Sequence, residues 1–322
     1  MSFTVGIALC TFNGERFIER QLESILAQRP APDEVVVSDD GSIDSTLERV
    51  EAVAARAPVP LTVLRGSKPL GVTANFERAV RATSSDLIAL SDQDDVWHEG
   101  RLARLVREFD DPAVLLVHTD ARLVDSEGES LGRSLFESLE VTREELGREQ
   151  AGDAYTVFLR RNLATGATVI LRRSLLDDAL PFPPGWVHDE WLAAVAAARG
   201  GVRVLTEATI DYRQHGANQI GVAAPTLARK VRRVLEPRGE RNVILASRFA
   251  TLADRLDGLD GIAEERLASA REKAAFEAER AAMPASRLPR ARHVLRLART
   301  GAYERFASRG RADILRDLIQ PA

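Results

Sequence analysis

The chain has little of what usually announces a protein's chemistry. It holds a single cysteine, Cys10, inside an apolar run, which excludes a disulfide within the chain and fits a reducing compartment. No apolar run approaches the roughly 18 residues of a membrane span. The opening MSFTVGIALCTF lacks the basic start and long apolar stretch of a secretory signal. The expectation is a cytoplasmic protein. Aromatics are only 5% of the residues and do not interleave with basic runs, which argues against nucleic-acid binding. Neither G-x-G-x-x-G nor G-x-x-x-x-G-K-[ST] occurs, so NAD and P-loop sites lack their fingerprints. There is no internal repeat and no low-complexity tract, and His98, His118 and His293 show no ligand spacing to one another.

What remains is a chain of 322 residues, 45% hydrophobic and 29% charged, enough for one large domain or one domain plus an appendage. Its net charge of −4 hides an asymmetry: residues 222–322 hold 21 Lys and Arg against 13 Asp and Glu, and residues 1–221 hold 23 against 35. The two parts are expected to do different jobs.

Up to about residue 120 short β-rich runs alternate with helical patterns. Val5–Leu9 reads as a buried strand, and Phe17, Ile18, Leu22, Ile25 and Leu26 share a helical face after it. Glu34–Ser38 is a second strand, and Ser45 with Glu48 has the spacing of a capping box opening a helix. LTVLR, DLIAL and AVLLVHT read as further strands, with helices at Asn75–Arg81 and RLARLVREF. Repeated β-α units with continuous apolar strands predict a parallel sheet with helices on both faces. Residues 121–160 read as a polar excursion, GATVILRRSLL as a returning strand and helix start, WVHDEWLAAVAAA as a helix, and GVRVLTEATIDYRQHG as two short strands. From about Pro225 the pattern is helical and arginine-rich, with breaks near Pro237, Pro284 and Pro289.

Ligands of such sheets bind at the carboxyl ends of the strands. Three polar clusters fall there: TFNGE, SDDGSIDST and SDQDDVW. In the last, Asp92 and Asp94 alternate along an extended strand end and can share a face. Two close carboxylates repel unless a cation lies between them, and Mg²⁺ typically takes one or two carboxylates plus substrate phosphates. The plainer alternative is that Asp94 or Asp95 caps the helix near Gly100, and Trp97 reads as packing. In the second cluster, Asp39 and Asp40 stop a strand ahead of Gly41, where a carboxylate can accept from a nucleobase imide N–H; turn chemistry alone is the other reading.

Together ALCTFNGERFIERQLESILAQ, DEVVVSDDGSIDST, LIALSDQDDVW and HDEW with YRQHGANQIG resemble family 2 glycosyltransferases of the GT-A fold. The closest likeness is to the bacterial rhamnosyltransferase-like branch that assembles cell-surface polysaccharide. The resemblance covers about residues 3–221 and implies a GT-A domain over 1–221, a Rossmann-like, mostly parallel sheet flanked by helices. Residues 222–322 form a basic helical extension outside it. Carried over by position, Thr11, Asn13 and Glu15 line the nucleotide, Asp40 with Asp39 reads the base, and Lys68 approaches the diphosphate. Asp92 and Asp94 match the D-x-D motif that binds a divalent metal, Mg²⁺ or Mn²⁺, with Asp92 also facing the donor. His215 matches a residue that completes the metal or diphosphate site in some relatives. Asp189 matches the general base, with Glu190 as its rival and an N-cap as its plainer reading; His188 and His215 have equally plain readings as satisfied histidines. Thr165 and Gly166 fall in a segment bordering the acceptor pocket in relatives.

The resemblance therefore implies a metal-dependent inverting glycosyltransferase, moving rhamnose or another hexose from a dTDP- or UDP-sugar to a glycan or lipid-linked hydroxyl. Two rivals stand beside it. One is a sugar-nucleotide-binding scaffold without transferase activity. The other is a phosphohydrolase with an aspartate nucleophile, which generally places its D-x-D after the first strand, whereas here it follows the fourth. The basic tail suits either peripheral contact with an anionic membrane face or helical packing and homo-oligomerisation.

Overall fold

The computed structural model describes residues 3–215 and 240–321. The 221/222 boundary, the last residues of YRQHGANQIG and the basic run before Arg241 lie outside the described residues. The first unit is β1 (Val5–Thr11), α1 (Ile18–Leu26), β2 (Glu34–Asp39), α2 (Thr46–Ala54), β3 (Leu61–Arg65), α3 (Val72–Ala82) and β4 (Leu87–Ser91). These strands lie parallel in the order β3-β2-β1-β4. The chain runs outward from β1 to β3 and returns to the other side of β1, so the switch in strand order falls between β1 and β4. Register brings their ends level: Thr11 faces Asp39, and Leu9 faces Ser91.

Strand periodicity divides the core into two layers. Val5, Ile7 and Leu9 of β1 meet Ile18, Leu22, Ile25, Val50 and Val53 on one face. Ala8 and Cys10 meet Phe76, Ala79 and Val80 on the other.

The second half is mixed. It comprises β5 (Val96–Trp97), α4 (Arg101–Val106), β6 (Leu116–Val124), β7 (Ser130–Ser134), α5 (Leu135–Ser138), α6 (Arg143–Gln150), α7 (Ala154–Phe158), β8 (Ile170–Arg172), α8 (Leu175–Ala179), α9 (His188–Arg199) and β9 (Val202–Arg213). β8 joins β4 and β6 antiparallel, β9 runs parallel to β6, and β5 and β7 pair antiparallel with β9 and β6. The result is a nine-stranded, mostly parallel sheet with helices on both faces.

Three local expectations give way. The helix at Ser45 has no capping box: Glu15 takes the Ser45 N–H at 3.0 Å, the role Glu48 would have had, and Asp44 takes the Thr46 N–H at 3.0 Å. Capping boxes form instead at Ser134/Glu137 and Thr142/Glu145, inside the stretch read as an excursion. The two short strands after Gly201 are one, because a register shift between Thr119 and Asp120 absorbs the exposed Thr206 and Glu207 and pairing resumes at Ala208.

Helices α10 (Arg241–Asp257), α11 (Glu264–Ala281), α12 (Arg287–Arg299), α13 (Ala302–Phe306) and α14 (Arg311–Ile319) follow. Phe249, Leu252, Leu256, Ala270 and Phe276 share one core with Trp191, Leu192 and Val195 of α9. Several basic residues here point inward. Arg280 donates to both oxygens of Asp317 at 2.7 and 3.0 Å, which also accepts from the Tyr303 hydroxyl at 2.8 Å. Lys273 donates to Glu277 at 2.6 Å and to the Phe306 carbonyl at 2.7 Å, and Arg290 donates to the carbonyls of Pro284, Asp317 and Gln320. Buried charges persist only when paired in this way, so part of the arginine pattern is interior packing. Among the described residues no helix is long and apolar enough to cross a membrane.

Candidate active site

The loops after β1 and β2 are laced together at the carboxyl edge of the sheet. Asp39 is fully buried and saturated: Oδ1 accepts from the hydroxyls of Thr11 at 2.8 Å and Ser42 at 2.5 Å. Its Oδ2 accepts from the N–H groups of Gly41 and Ser42 at 3.0 and 2.9 Å. Asp40 accepts from the N–H groups of Leu70 and Gly71 at 2.7 and 2.9 Å, which draws the loop bearing the exposed Lys68 over Gly41. Asn13, at φ 48°, accepts from the Ile43 N–H at 2.9 Å while its own N–H donates to Ser42 Oγ. Thr11, Asn13, Glu15, Asp39, Asp40 and Lys68 thus border one edge. Asn13, Glu15 and Lys68 stay exposed there, Thr11 and Asp39 spend their polar groups on loop geometry, and Asp40 holds the neighbouring loop while keeping a lone pair on each oxygen.

The residue between the two aspartates of D-x-D has a part that its type does not announce. Gln93 accepts from the Phe12 N–H at 2.8 Å and donates to the Phe12 carbonyl at 3.0 Å, pinning the β4 loop to the β1 loop. A Cβ on residue 14 would lie 2.1 Å from Gln93 Oε1, so Gly14 is what lets the two loops close.

Asp92, Asp94 and Asp95 leave the end of β4 into confined surroundings. Asp94 Oδ2 lies 2.8 Å from His215 Nε2, and His215 stacks on Phe17 with ring centroids 4.9 Å apart. Arg213, at the end of β9, donates through its Nε to the Asp94 carbonyl at 2.8 Å and through its N–H to Asp95 Oδ1 at 3.0 Å. Asp95 Oδ2 is buried with no hydrogen-bond donor among the described residues. Burial, and then the negative charges of Asp94 and Asp189, push the Asp92 carboxyl up to about 7. Burial also raises Asp94, against the opposing hydrogen bond from His215, and raises Asp95 well above the usual range. Arg213, Arg101 and His215 offset this negative charge only in part, since burial still raises both carboxyls. Among the described residues no three His, Cys, Asp or Glu side chains form a ready-made cation cage. The oxygen donors nevertheless fit a hard divalent ion that takes one or two carboxylates and completes its shell from a diphosphate.

Asp189 sits in the first turn of α9, whose N-cap is Val187, so the N-cap reading does not describe it. Its Oδ2 accepts from the Gly166 N–H at 2.9 Å and its Oδ1 from the Glu190 N–H at 2.6 Å. Burial pushes its carboxyl up to about 6, although those two N–H groups and the Arg248 guanidinium pull the other way. Gly166 is required by proximity, since a Cβ there would lie 2.9 Å from His188 Nε2. His188 is a buried ring stacked on Phe76 at 3.8 Å, and burial lowers it to about 3, leaving it neutral. Glu190, the rival base, is paired with Arg248 of α10. Trp97 is buried, with Arg101 over its ring.

Residues 7–179 match the model of the glycosyl transferase family 2. The chain belongs to this family. Among curated relatives, an uncharacterized glycosyltransferase of Nostoc sp. is 26% identical over 220 residues, 66% of this chain and 66% of that protein. The dTDP-rhamnosyl transferase RfbG of Shigella flexneri is 26% identical over 223 residues, 66% of this chain and 73% of RfbG. An uncharacterized protein of Mycobacterium bovis is 29% identical over 230 residues, 70% of this chain and 63% of its own length. The chain thus spans just under two thirds of the Nostoc and M. bovis relatives. Among solved structures, S. aureus TarS 1–349 in complex with UDP-GlcNAc matches with a TM-score of 0.57 at 18% identity, over 85% of this chain and 72% of that one. The mannosyltransferase PcManGT of Pyrobaculum calidifontis, in complex with GDP-Man and Mn²⁺, matches with 0.56 at 22% identity, over 99% and 86%. At these identities the likeness establishes the fold, which is GT-A. The family match ends at residue 179, before α9 begins, and so does not reach Asp189.

Proposed function

We propose that this family 2 member is a metal-dependent inverting glycosyltransferase acting on a nucleoside-diphosphate sugar. The observation that carries the reading is the nearness of two acidic groups borne on different elements. Asp92 and Asp94 end β4, Asp189 opens α9, and the Asp189 charge reaches Asp92 strongly enough to help raise it. One side suits a departing diphosphate and the other an incoming hydroxyl.

Asp92 and Asp94, with His215 against Asp94, would hold a Mg²⁺ or Mn²⁺ ion. When bound, such an ion supplies Lewis-acid neutralisation of the charge on the leaving diphosphate. Thr11, Asn13, Glu15, Asp39, Asp40 and Lys68 shape the nucleotide side, with Asp39 and Asp40 acting through the loops they fix. Asp189 takes the proton of the acceptor hydroxyl as that oxygen attacks the anomeric carbon. Its two bound N–H groups orient it while leaving a lone pair on each oxygen. One base and no enzyme nucleophile give a single displacement and inversion. The name of RfbG supports dTDP-rhamnose as the first donor to try, with UDP-sugars next, and a glycan or lipid-linked hydroxyl as the acceptor. The helices from Arg241 to Ile319 are read as a packing unit, on the strength of the core that α10 and α11 share with α9.

The test is calorimetric titration with UDP, dTDP, GDP and ADP, with and without Mn²⁺ or Mg²⁺. Tight binding of one pyrimidine diphosphate only with metal, followed by inverting transfer from its sugar, is expected. Absence of binding to all four would refute the reading, and binding without transfer would favour the scaffold.

A further inference from the structure

The last third of the chain lies beyond the family match, yet one of its side chains reaches the first turn of α9. Arg248 of α10 donates from its guanidinium to Glu190 Oε2, with the two side chains 17% and 28% exposed. The arginine is held from several sides. Its guanidinium lies 4.3 Å from the Trp186 ring centroid, and Trp186 Nε1 donates to the Arg248 carbonyl at 3.0 Å. The Trp186 carbonyl in turn accepts from the Thr73 hydroxyl of α3 at 3.2 Å, and its ring packs edge-on against Trp191 and Phe249. A partner reached through three helices and the loop that bears Trp186 is a built contact, unlike a stray surface pair.

We propose that Arg248 is a positioning residue of the transfer reaction, which ties down Glu190 so that Asp189 alone meets the acceptor hydroxyl. The helical extension then completes the active site. This inference rests on the glycosyl-transfer reading with Asp189 as base.

The surroundings of Asp189 explain why such a partner is needed. Glu190 follows it directly, Asp92 faces it from the end of β4, and the buried Tyr212 of β9 lies within its field. The N–H groups of Gly166 and Glu190 are its hydrogen-bond donors, and His188 beside Gly166 is neutral. Arg248 is the cation that acts on both Asp189 and Glu190. Without it, two adjacent carboxylates would share one partly buried turn. Each would hold its proton more tightly, and both would compete for the acceptor hydroxyl. No new bond is made or broken by Arg248; the proton still passes from the acceptor oxygen to Asp189.

The test uses the full-length enzyme as wild type, Arg248→Met, Arg248→Lys and the double variant Arg248→Met/Glu190→Gln. Transfer rates are read from about pH 5 to about pH 9 at saturating donor and metal. Arg248→Met is expected to lose roughly tenfold in kcat near pH 5, with its acidic limb displaced upward by about one unit and donor KM unchanged. Arg248→Lys keeps most of the rate. The double variant recovers to within about threefold of wild type, because the uncompensated carboxylate is gone. An unmoved acidic limb in Arg248→Met, or no recovery in the double variant, overturns the inference. So does loss of nucleoside-diphosphate binding in both Arg248→Met proteins, which would make the role one of packing only. A wild-type enzyme that binds nucleotide but transfers nothing fails at the level of the proposed function, before any variant is compared.

Discussion

Replacing Asp189 by Asn removes the proposed base while keeping its shape, and the geometry makes two predictions that pull in opposite directions. The side chain of Asn can still accept the Gly166 N–H that Asp189 holds at 2.9 Å, so α9 keeps its place. Donor affinity should therefore stay within about twofold, while loss of general-base catalysis removes about 10²–10⁴-fold in kcat, or about 3–5 kcal/mol of barrier. Stability should move the other way. Burial raises the Asp189 carboxyl from 3.8 to about 6, so the folded state disfavours its charged form. At about 1.4 kcal/mol per unit, ionised Asp189 costs the fold on the order of 3 kcal/mol as a ceiling. That penalty is fully present above about pH 6, shrinks as pH falls from 6 towards 3.8, and is absent below. The Asn variant, free of metal and donor, should melt a few degrees higher than wild type at about pH 8 and together with it near pH 4. The assays are transfer kinetics and paired thermal melts across pH. Transfer within tenfold of wild type would remove Asp189 as the base. A lower melting temperature at pH 8 would show that the two N–H contacts outweigh the burial of the charge.

The remaining expectations test other links. Asp94→Ala should abolish the metal-dependent part of diphosphate binding, at least tenfold by calorimetry; unchanged binding would remove it from the clamp. Metal affinity of the wild type should fall as pH drops below about 7, where Asp92 takes up its proton, and a flat profile would count against Asp92 as ligand. Gly14→Ala, with its Cβ 2.1 Å from Gln93 Oε1, should expel Gln93 from Phe12 and destabilise the protein by about 1–3 kcal/mol. Adding Gln93→Ala should then cost little more, so additive denaturation midpoints would refute the latch. Asp317→Ala leaves Arg280 buried without its bidentate partner, and should cost about 3–5 kcal/mol in chemical denaturation. An unmoved midpoint would mean that the helical bundle does not depend on that network.

Some of the architecture was legible because it depends on local pattern. Continuous apolar runs in β1, β2 and β4, each ending on polar residues, announce a buried parallel sheet whose carboxyl edge holds the site. Four motifs in fixed order were enough to name the family. Spacing misled at Ser45, where a local S-x-x-E pattern lost to Glu15 from a neighbouring loop. The same pattern at Ser134 and Thr142 was real but sat in a stretch read as irregular. A side chain satisfies whichever backbone N–H the fold brings nearest, and sequence distance does not tell which that will be.

The same reason separates what the sequence determined alone from what the tertiary structure decided. Hydrophobic periodicity set the strands, the helices and the two faces of the sheet, since burial of alternate residues is a property of each segment. Residue type and order set which carboxylates stand at the strand ends. Their partners were decided only by folding. Gln93 meets Phe12 across 81 residues, His215 meets Asp94 across 121, and Arg248 meets Glu190 across 58. Nothing in the neighbours of any of these side chains encodes the other end of the contact. Whether an arginine of the basic tail faces water, a buried aspartate or the first turn of α9 was likewise settled by packing, because burying a charge is tolerable only where the fold supplies its counter-charge.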